Sequence, residues 1–498
     1  MKRMWQWLLA LAACCLLAAC VSDNSRESGL ERIQNIVVIY AENRSFDHLY
    51  GNFPGAEGIA QASTGQKTQL DHDGKPLPHL PASYTGGKAN TRFPTEGLPN
   101  GPFRIDAPPI NGRLDEVLSS PWHLYYQNRE QIAGGSNNKF VALSDVGAWV
   151  MGYFDGSQMK MWKWAQEYTL ADHFFMGAFG GSFLNHQWLV CACTPVDPTA
   201  PESVRPTLDT HGNLVKRPTS PPSVLAGPVQ VFDGRVTPDG YVVNTSQPPF
   251  QPSGIAPAPG NLDYANTANF PVPAQTAKTI GDTLSAKSVS WVWYAGGWDA
   301  ALVDGRRDPS AKRTVIYANG PGSPIFQPHH QPFNYFARFA PGTADRATHL
   351  KDEQEFLTAI DQGSLPQVTF FKPAGRDTEH PSYTDVISGD EHIAMILARL
   401  KKSPQWPHMA VIVTYDENGG FWDHMPPPSG PGWGDRWGPG TRIPTIIVSP
   451  FARRGYVDKT PYDTTSILKL ITRRFGLEPL SGVRANAGDM TGAFDFAQ

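Results

Sequence analysis

Two short apolar runs, each ending in acidic residues, constrain this chain more than any other feature. Ile36-Val37-Val38-Ile39-Tyr40 leads into Glu42-Asn43, and Ala410-Val411-Ile412-Val413-Thr414-Tyr415 leads into Asp416-Glu417. A continuous β-branched run of this length reads as a strand buried on both faces. Further strands are predicted at Val289–Tyr294, Val368–Phe371 and Thr445–Val448. Helices are predicted over 350–361, 390–402 and 463–475, with helical spacing also from Trp149 to Leu170. This alternation predicts an α/β fold with a mainly parallel central sheet and helices on both faces. Residues 52–112 read as a loop-rich excursion. The stretch 194–275 is dense in Pro, Ser, Thr and Asn and reads as an irregular insertion with a hairpin near Val242-Val243.

In an open α/β sheet, ligand sites lie at the carboxyl ends of strands. If the two acid-ended strands are neighbours, three carboxylates and an amide oxygen converge, and three like charges need a compensating cation or proton. Hard oxygen donors favour a divalent ion such as Mg²⁺, Ca²⁺ or Mn²⁺. For one strand end, capping of the next turn would be explanation enough; two such ends point to a shared site. The residues that follow add Asp47-His48 and Asp423-His424. These pairs read equally well as groups orienting metal ligands and as solvated turn residues. Asp416–His424 is no EF-hand, because Gly420 stands where a ligand is required.

Gly180-Gly181-Ser182-Phe183 places a serine after a permissive turn, at the predicted start of a helix over Leu184–Ala192. A helix N-terminus attracts phosphate, and the plainer reading of Ser182 is an N-cap. The sequence lacks the Gly-x-Ser-x-Gly elbow of α/β-hydrolases. His123, His329, His330 and His380 lie in polar, Pro-flanked loops and are candidate phosphate donors or general acids. Cys193-Thr194-Pro195-Val196-Asp197 approaches a sulfatase signature but has Asp197 where arginine is needed. Cys191 and Cys193 make a poor disulfide framework and read as buried packing. Lys+Arg 42 against Asp+Glu 46 gives a net charge of −4, which offers no footprint for nucleic acid.

The chain opens with Lys2-Arg3, an apolar stretch from Leu8 to Ala19, and Leu17-Ala18-Ala19-Cys20 before polar Ser22-Asp23-Asn24. This resembles a bacterial lipobox, which predicts a signal peptide over 1–19 and a lipidated Cys20 on a tether over 20–32. Ordinary secretory cleavage and an uncleaved anchor are the alternatives, and all three export the protein. The expected location is the periplasm or cell envelope, with secretion as the variant.

Taken together, Glu42-Asn43-Arg44-Ser45-Phe46-Asp47-His48 and Asp416-Glu417-Asn418-Gly419-Gly420-Phe421-Trp422-Asp423-His424 resemble the bacterial phosphoesterase family. That family holds phospholipases C and acid phosphatases within the alkaline phosphatase-like superfamily. The stretch from Asp172-His173 to Asn185-His186, and His329-His330, are most similar to its acid phosphatase branch. The resemblance implies an alkaline phosphatase-like fold, with a phosphoesterase domain over 33–485 and a tail over 486–498. It implies one divalent metal ion held by Glu42, Asn43, Ser182, Asp416 and Glu417. Ser182 would be the nucleophile, forming a phosphoserine, with His123, His329, His330 and His380 around the phosphoryl group. The expected activity is hydrolysis of phosphate monoesters by a broad-specificity acid phosphatase, favoured below neutral pH by protonated histidines. A phospholipase C acting on phospholipid phosphodiesters is the alternative, and a non-catalytic binding lipoprotein is a third possibility. The sequence leaves the oligomeric state open.

Overall fold

The first apolar run does form a strand because it has no polar face to leave in water. Ile36, Val37, Val38 and Ile39 are each 0% exposed, and full burial of one such side chain contributes about 1.5–3 kcal/mol. In the computed structural model, which describes residues 29–497, it becomes β1 (Asn35–Ala41). The other strands of the main sheet are β2 (Thr169–Ala171), β3 (Trp291–Ala295), β4 (Leu350–Asp352), β5 (Val368–Lys372), β6 (Met409–Tyr415), β7 (Thr445–Val448) and β8 (Tyr456–Asp458). Their order is β4-β3-β5-β1-β6-β7-β2-β8. Only β7 runs against its neighbours in this sheet.

The principal helices are α1 (Phe46–Tyr50), α2 (Lys160–Glu167), α3 (Ser182–Cys191), α4 (Glu353–Gln362), α5 (Val386–Leu400) and α6 (Thr464–Phe475). α2, α4 and α5 form one packed group and α3 and α6 another, so the central strands are covered on both faces. Local chemistry sets the helix ends. Asp352 caps α4 through the Gln354 amide, Glu355 reaches back to the Asp352 amide, and Gly363 closes the helix in the left-handed region.

Three expectations change. Leu350–Asp352 is an edge strand, not the start of a helix, because it pairs with Trp293–Ala295. The stretch from Trp149 to Leu170 is α-helical only over Lys160–Glu167, with 3₁₀ turns over Ala148–Met151 and Gly156–Gln158, and Thr169–Ala171 is drawn into the sheet between β7 and β8. Cys191 and Cys193 form a disulfide rather than packing as free thiols. Left-handed Ala192 (φ 46°) turns the end of α3 back and leaves the two Cα atoms 5.1 Å apart, within disulfide range.

Residues 194–275 run as short 3₁₀ turns, isolated bridges such as Val236–Val242, and one hairpin pairing Pro257–Ala258 with Asn261–Ala265. Near the C-terminus, Met490, Ala493 and Phe494 are buried. Among the described residues no helix is long and apolar enough to cross a membrane. The leader and Cys20 lie outside the described residues.

Candidate active site

The sheet brings the two acid-ended strands side by side. β1 and β6 pair in parallel with Ala41 opposite Tyr415, so Glu42 and Asp416 leave adjacent strand ends. The Asp416 amide donates to Ala41 O at 3.0 Å and the Asn43 amide to Asp416 Oδ1 at 3.3 Å. β5 flanks β1 on its other side and ends at Lys372. Lys372 Nζ lies 2.6 Å from Glu42 Oε1, and His330 Nε2 lies 2.7 Å from the same oxygen.

Ser182 is the first residue of α3, and its N-cap is Gly181, not Ser182 itself. Its Oγ lies 3.3 Å from Asn43 Oδ1 and 3.4 Å from Glu417 Oε1. Asn185 builds the turn before it, accepting from the Ala178 amide at 2.9 Å and donating to Gly181 O at 3.2 Å. The glycines around this turn are needed for close approach. A Cβ on Gly181 would meet His123 O at 2.6 Å, and one on Gly420 would meet Trp122 O at 2.4 Å. The Pro121–His123 segment is therefore wedged between the two glycine turns, which carries His123 to 3.4 Å from Asn43 Nδ2 and 3.7 Å from Glu417 Oε1.

All the histidines singled out from sequence converge here. His380 Nε2 lies 3.9 Å from Glu42 Oε2, and its ring is 5.9 Å from that of His123. The rings of His329 and His330 are 4.3 Å apart. His186, a neighbour not assigned a role from sequence, stacks on His330 at 4.9 Å and lies 3.7 Å from Asp416 Oδ2. Lys372, also without a role assigned from sequence, closes the apolar run Val368–Phe371 as an ordinary polar strand end would.

The acids are fully buried. Burial pushes Asp416 up to about 7 and Glu417 well above the usual carboxylate range, Glu417 also by the charge of Asp416. Burial acts the same way on Glu42, but His330 and Lys372 outweigh it and hold Glu42 low. Glu42 Oε1 is ion-paired with Lys372 and His330, while among the described residues Glu42 Oε2 and Asp416 Oδ2 have no hydrogen-bond partner. Buried carboxylate oxygens beside an amide oxygen and a hydroxyl are the hard donors a divalent cation takes, with Lys372 already bringing one positive charge to Glu42.

Burial also lowers the four histidines, His330 to about 4 and His380 to about 3. Burial thus works against the protonated histidines expected to favour activity below neutral pH.

The two Asp-His sequence pairs do not bond within themselves. His424 Nδ1 meets Asp47 Oδ2 at 2.6 Å, while His48 bonds Gly152 O at 2.8 Å and Arg44 Nη1 at 3.1 Å. Asp47, Asp423 and His424 offer ligand atoms within 4.8 Å of one another and could hold a metal. Arg442, however, already reaches both carboxylates, at 2.9 Å from Asp47 and 3.0 Å from Asp423. A guanidinium within that cluster supplies the positive charge an ion would bring.

The sequence profile of the phosphoesterase family matches residues 33–478. The chain belongs to the phosphoesterase family. Among its relatives, phospholipase C A of Mycobacterium tuberculosis is 25% identical over 502 residues, covering 94% of this chain and 78% of that protein. The non-hemolytic phospholipase C of Pseudomonas aeruginosa is 32% identical over 521 residues, covering 96% of this chain and 60% of that protein. Among solved structures, a protein in the alkaline phosphatase superfamily from Vibrio parahaemolyticus matches with a TM-score of 0.33 and 11% identity, covering 78% of this chain and 75% of that one. Both of these relatives of the phosphoesterase are named phospholipases C.

Proposed function

We propose that this phosphoesterase acts as a phospholipase C, cleaving phospholipid phosphodiesters with Ser182 as nucleophile. The observation that supports this reading is the approach of Ser182 Oγ to Asn43 and Glu417 beside the strand-end acids, in a chain whose named relatives are phospholipases C. Glu42, Asn43, Ser182, Asp416 and Glu417 would hold one divalent ion, which supplies Lewis-acid charge favouring the ionised Ser182 hydroxyl.

The Ser182 hydroxyl releases its proton to solvent as it ionises, and Oγ forms a bond to phosphorus while the bond from phosphorus to the glycerol oxygen breaks. His123 and His380 each direct Nδ1 at a backbone carbonyl, of Pro121 and Pro381, which turns Nε2 of both rings toward the acids, that of His123 at 3.4 Å from Asn43 Nδ2. An anionic phosphoryl group raises the affinity of a buried imidazole for a proton. The ring that charges as substrate enters then protonates the glycerol oxygen through Nε2. Left neutral, it accepts a proton from the water that hydrolyses the Ser182 ester, releasing the phosphorylated headgroup and restoring the hydroxyl. The leader read at 1–19 would deliver this activity outside the cytoplasm, with Cys20 as the proposed lipid attachment.

The test is hydrolysis of phosphatidylcholine beside p-nitrophenyl phosphate by the full chain and by Ser182→Ala. Lipid turnover lost in the variant is the expected result. Turnover of the monoester alone would assign the protein to acid phosphatase chemistry. Turnover of neither would overturn the reading.

A further inference from the structure

The Pro-rich segment 194–275 reaches the histidine cluster through one hydrogen-bonded chain. The Gly254 amide lies 2.7 Å from Gln247 Oε1, Gln247 Nε2 lies 3.0 Å from Tyr317 Oη, and Tyr317 Oη lies 2.9 Å from His329 Nδ1. The Tyr317 ring also lies near-parallel to His329, with centroids 6.2 Å apart and 24° between planes.

The direction of the first two bonds follows from the Gly254 amide. A backbone amide only donates, so the Gln247 oxygen must face Gly254 and its NH₂ must face Tyr317. An amide NH₂ only donates, so the Tyr317 oxygen accepts there. The phenolic proton is the one still to be directed, and pointed at His329 Nδ1, 2.9 Å away, it makes that nitrogen an acceptor without a proton. In a neutral ring the proton is on Nε2.

Two neighbours are set the opposite way. His123 Nδ1 lies 2.7 Å from Pro121 O, and His380 Nδ1 faces Pro381 O. Carbonyls only accept, so these rings carry the proton on Nδ1 and offer a lone pair at Nε2. His329 thus differs from them in presenting an N–H, and among the described residues that N–H has no hydrogen-bond partner.

We propose that Gln247 and Tyr317 are positioning residues that lock His329 in its Nε2–H tautomer, so that a neutral imidazole donates a hydrogen bond to a phosphoryl oxygen. The proposal rests on the reading that these histidines surround a phosphoryl group. It assigns a role to the 194–275 segment: one of its glutamines sets the polarity of a ring in the site. The pocket then holds a ready donor in His329 and proton acceptors in His123 and His380, without any ring being charged beforehand.

The test reads tautomers directly, by ¹⁵N NMR of histidine-labelled full-length protein near pH 7.5, with His329 assigned by the signals lost in His329→Asn. Wild type should show His329 protonated at Nε2. Gln247→Glu keeps an oxygen for Gly254 but cannot donate to Tyr317. The tyrosine hydroxyl should turn to the new carboxylate, its oxygen should accept from Nδ1–H, and the tautomer should invert. Tyr317→Phe keeps the ring and should leave a mixture. In both variants kcat/KM for the preferred phosphoester should fall roughly tenfold or more, with the circular dichroism spectrum unchanged. An Nδ1–H ring in wild type, or an unchanged ring in Gln247→Glu, would overturn the proposal. If no phosphoester is turned over, the functional reading fails while the NMR result still decides the tautomer.

Discussion

Ser182 Oγ stands 3.4 Å from Glu417 Oε1 although 235 positions separate the two residues. Nothing in the local sequence of either demands this. It follows from α3 starting against the carboxyl ends of β1 and β6, where Asn43 and Glu417 emerge. Ser182→Ala should therefore remove chemistry and leave the fold, because the hydroxyl packs no core. The expected loss in kcat is about a thousandfold or more, with thermal unfolding within a few degrees of wild type. A variant that retains half of its activity would place the nucleophile elsewhere.

Lys372 is buried against Glu42. Lys372→Met would strip Glu42 of the nearest lysine and leave a buried carboxylate with only histidines beside it. Loss of one partner of a buried pair costs about 3–5 kcal/mol. Urea unfolding should show a loss of that size without added metal, and a divalent ion should restore part of it by binding the folded state alone. Unchanged stability in the metal-free protein would show that Lys372 does not balance this charge.

Asp47, Asp423 and His424 could also hold an ion, but Arg442 occupies the space between the two carboxylates. Asp47→Asn should then leave the metal content of the protein unchanged. Arg442→Met should destabilise by about 3–5 kcal/mol, because it leaves buried Asp423 without its guanidinium and Asp47 with His424 alone. Metal lost in Asp47→Asn, measured by elemental analysis, would move the ion to this cluster.

Glu379 carries a left-handed backbone (φ 73°) beside His380 and is held by the Tyr415 hydroxyl at 2.7 Å and by Arg44 on its carbonyl at 2.6 Å. Burial, then the charge of Asp390, pushes its pKa up to about 8 from 4.5. A group that binds its proton more tightly when folded stabilises the fold most below the unfolded pKa. Stability should therefore fall as pH rises from about 4.5 through about 8 and then level off. Glu379→Gln keeps an acceptor for Tyr415 and should flatten that slope, giving a relative gain on the order of a few kcal/mol at pH 8.5 over pH 5. Parallel urea curves for the two proteins at both pH values would contradict it.

The parts of the site that sequence reveals are those with a local pattern. The β-branched runs before Glu42 and Asp416 mark strands, and strand ends in an α/β sheet mark the site. What has no local pattern stays hidden. Lys372 reads as an ordinary polar strand end until β5 is known to flank β1. Tyr317 sits in a Gly- and Pro-rich loop, and Gln247 in a segment without periodicity, so their link to His329 exists only in three dimensions. Arg442 precedes an apolar strand by a few residues, and its burial between Asp47 and Asp423 depends on contacts 395 and 19 positions away. The Cys191–Cys193 bridge depends on one left-handed alanine, which spacing alone does not report. The pocket's pH behaviour also escapes the sequence, because the low pKa values of the histidines come from burial.

The most direct measurement is the divalent metal content of the purified full chain by mass spectrometry, set beside Glu42→Gln and Asp416→Asn, with phosphatidylcholine hydrolysis read on the same samples. One ion per chain in wild type, lost together with activity in both variants while thermal unfolding stays cooperative, is the predicted result. Full metal content and full turnover in either variant would contradict a metal-assisted site at the ends of β1 and β6.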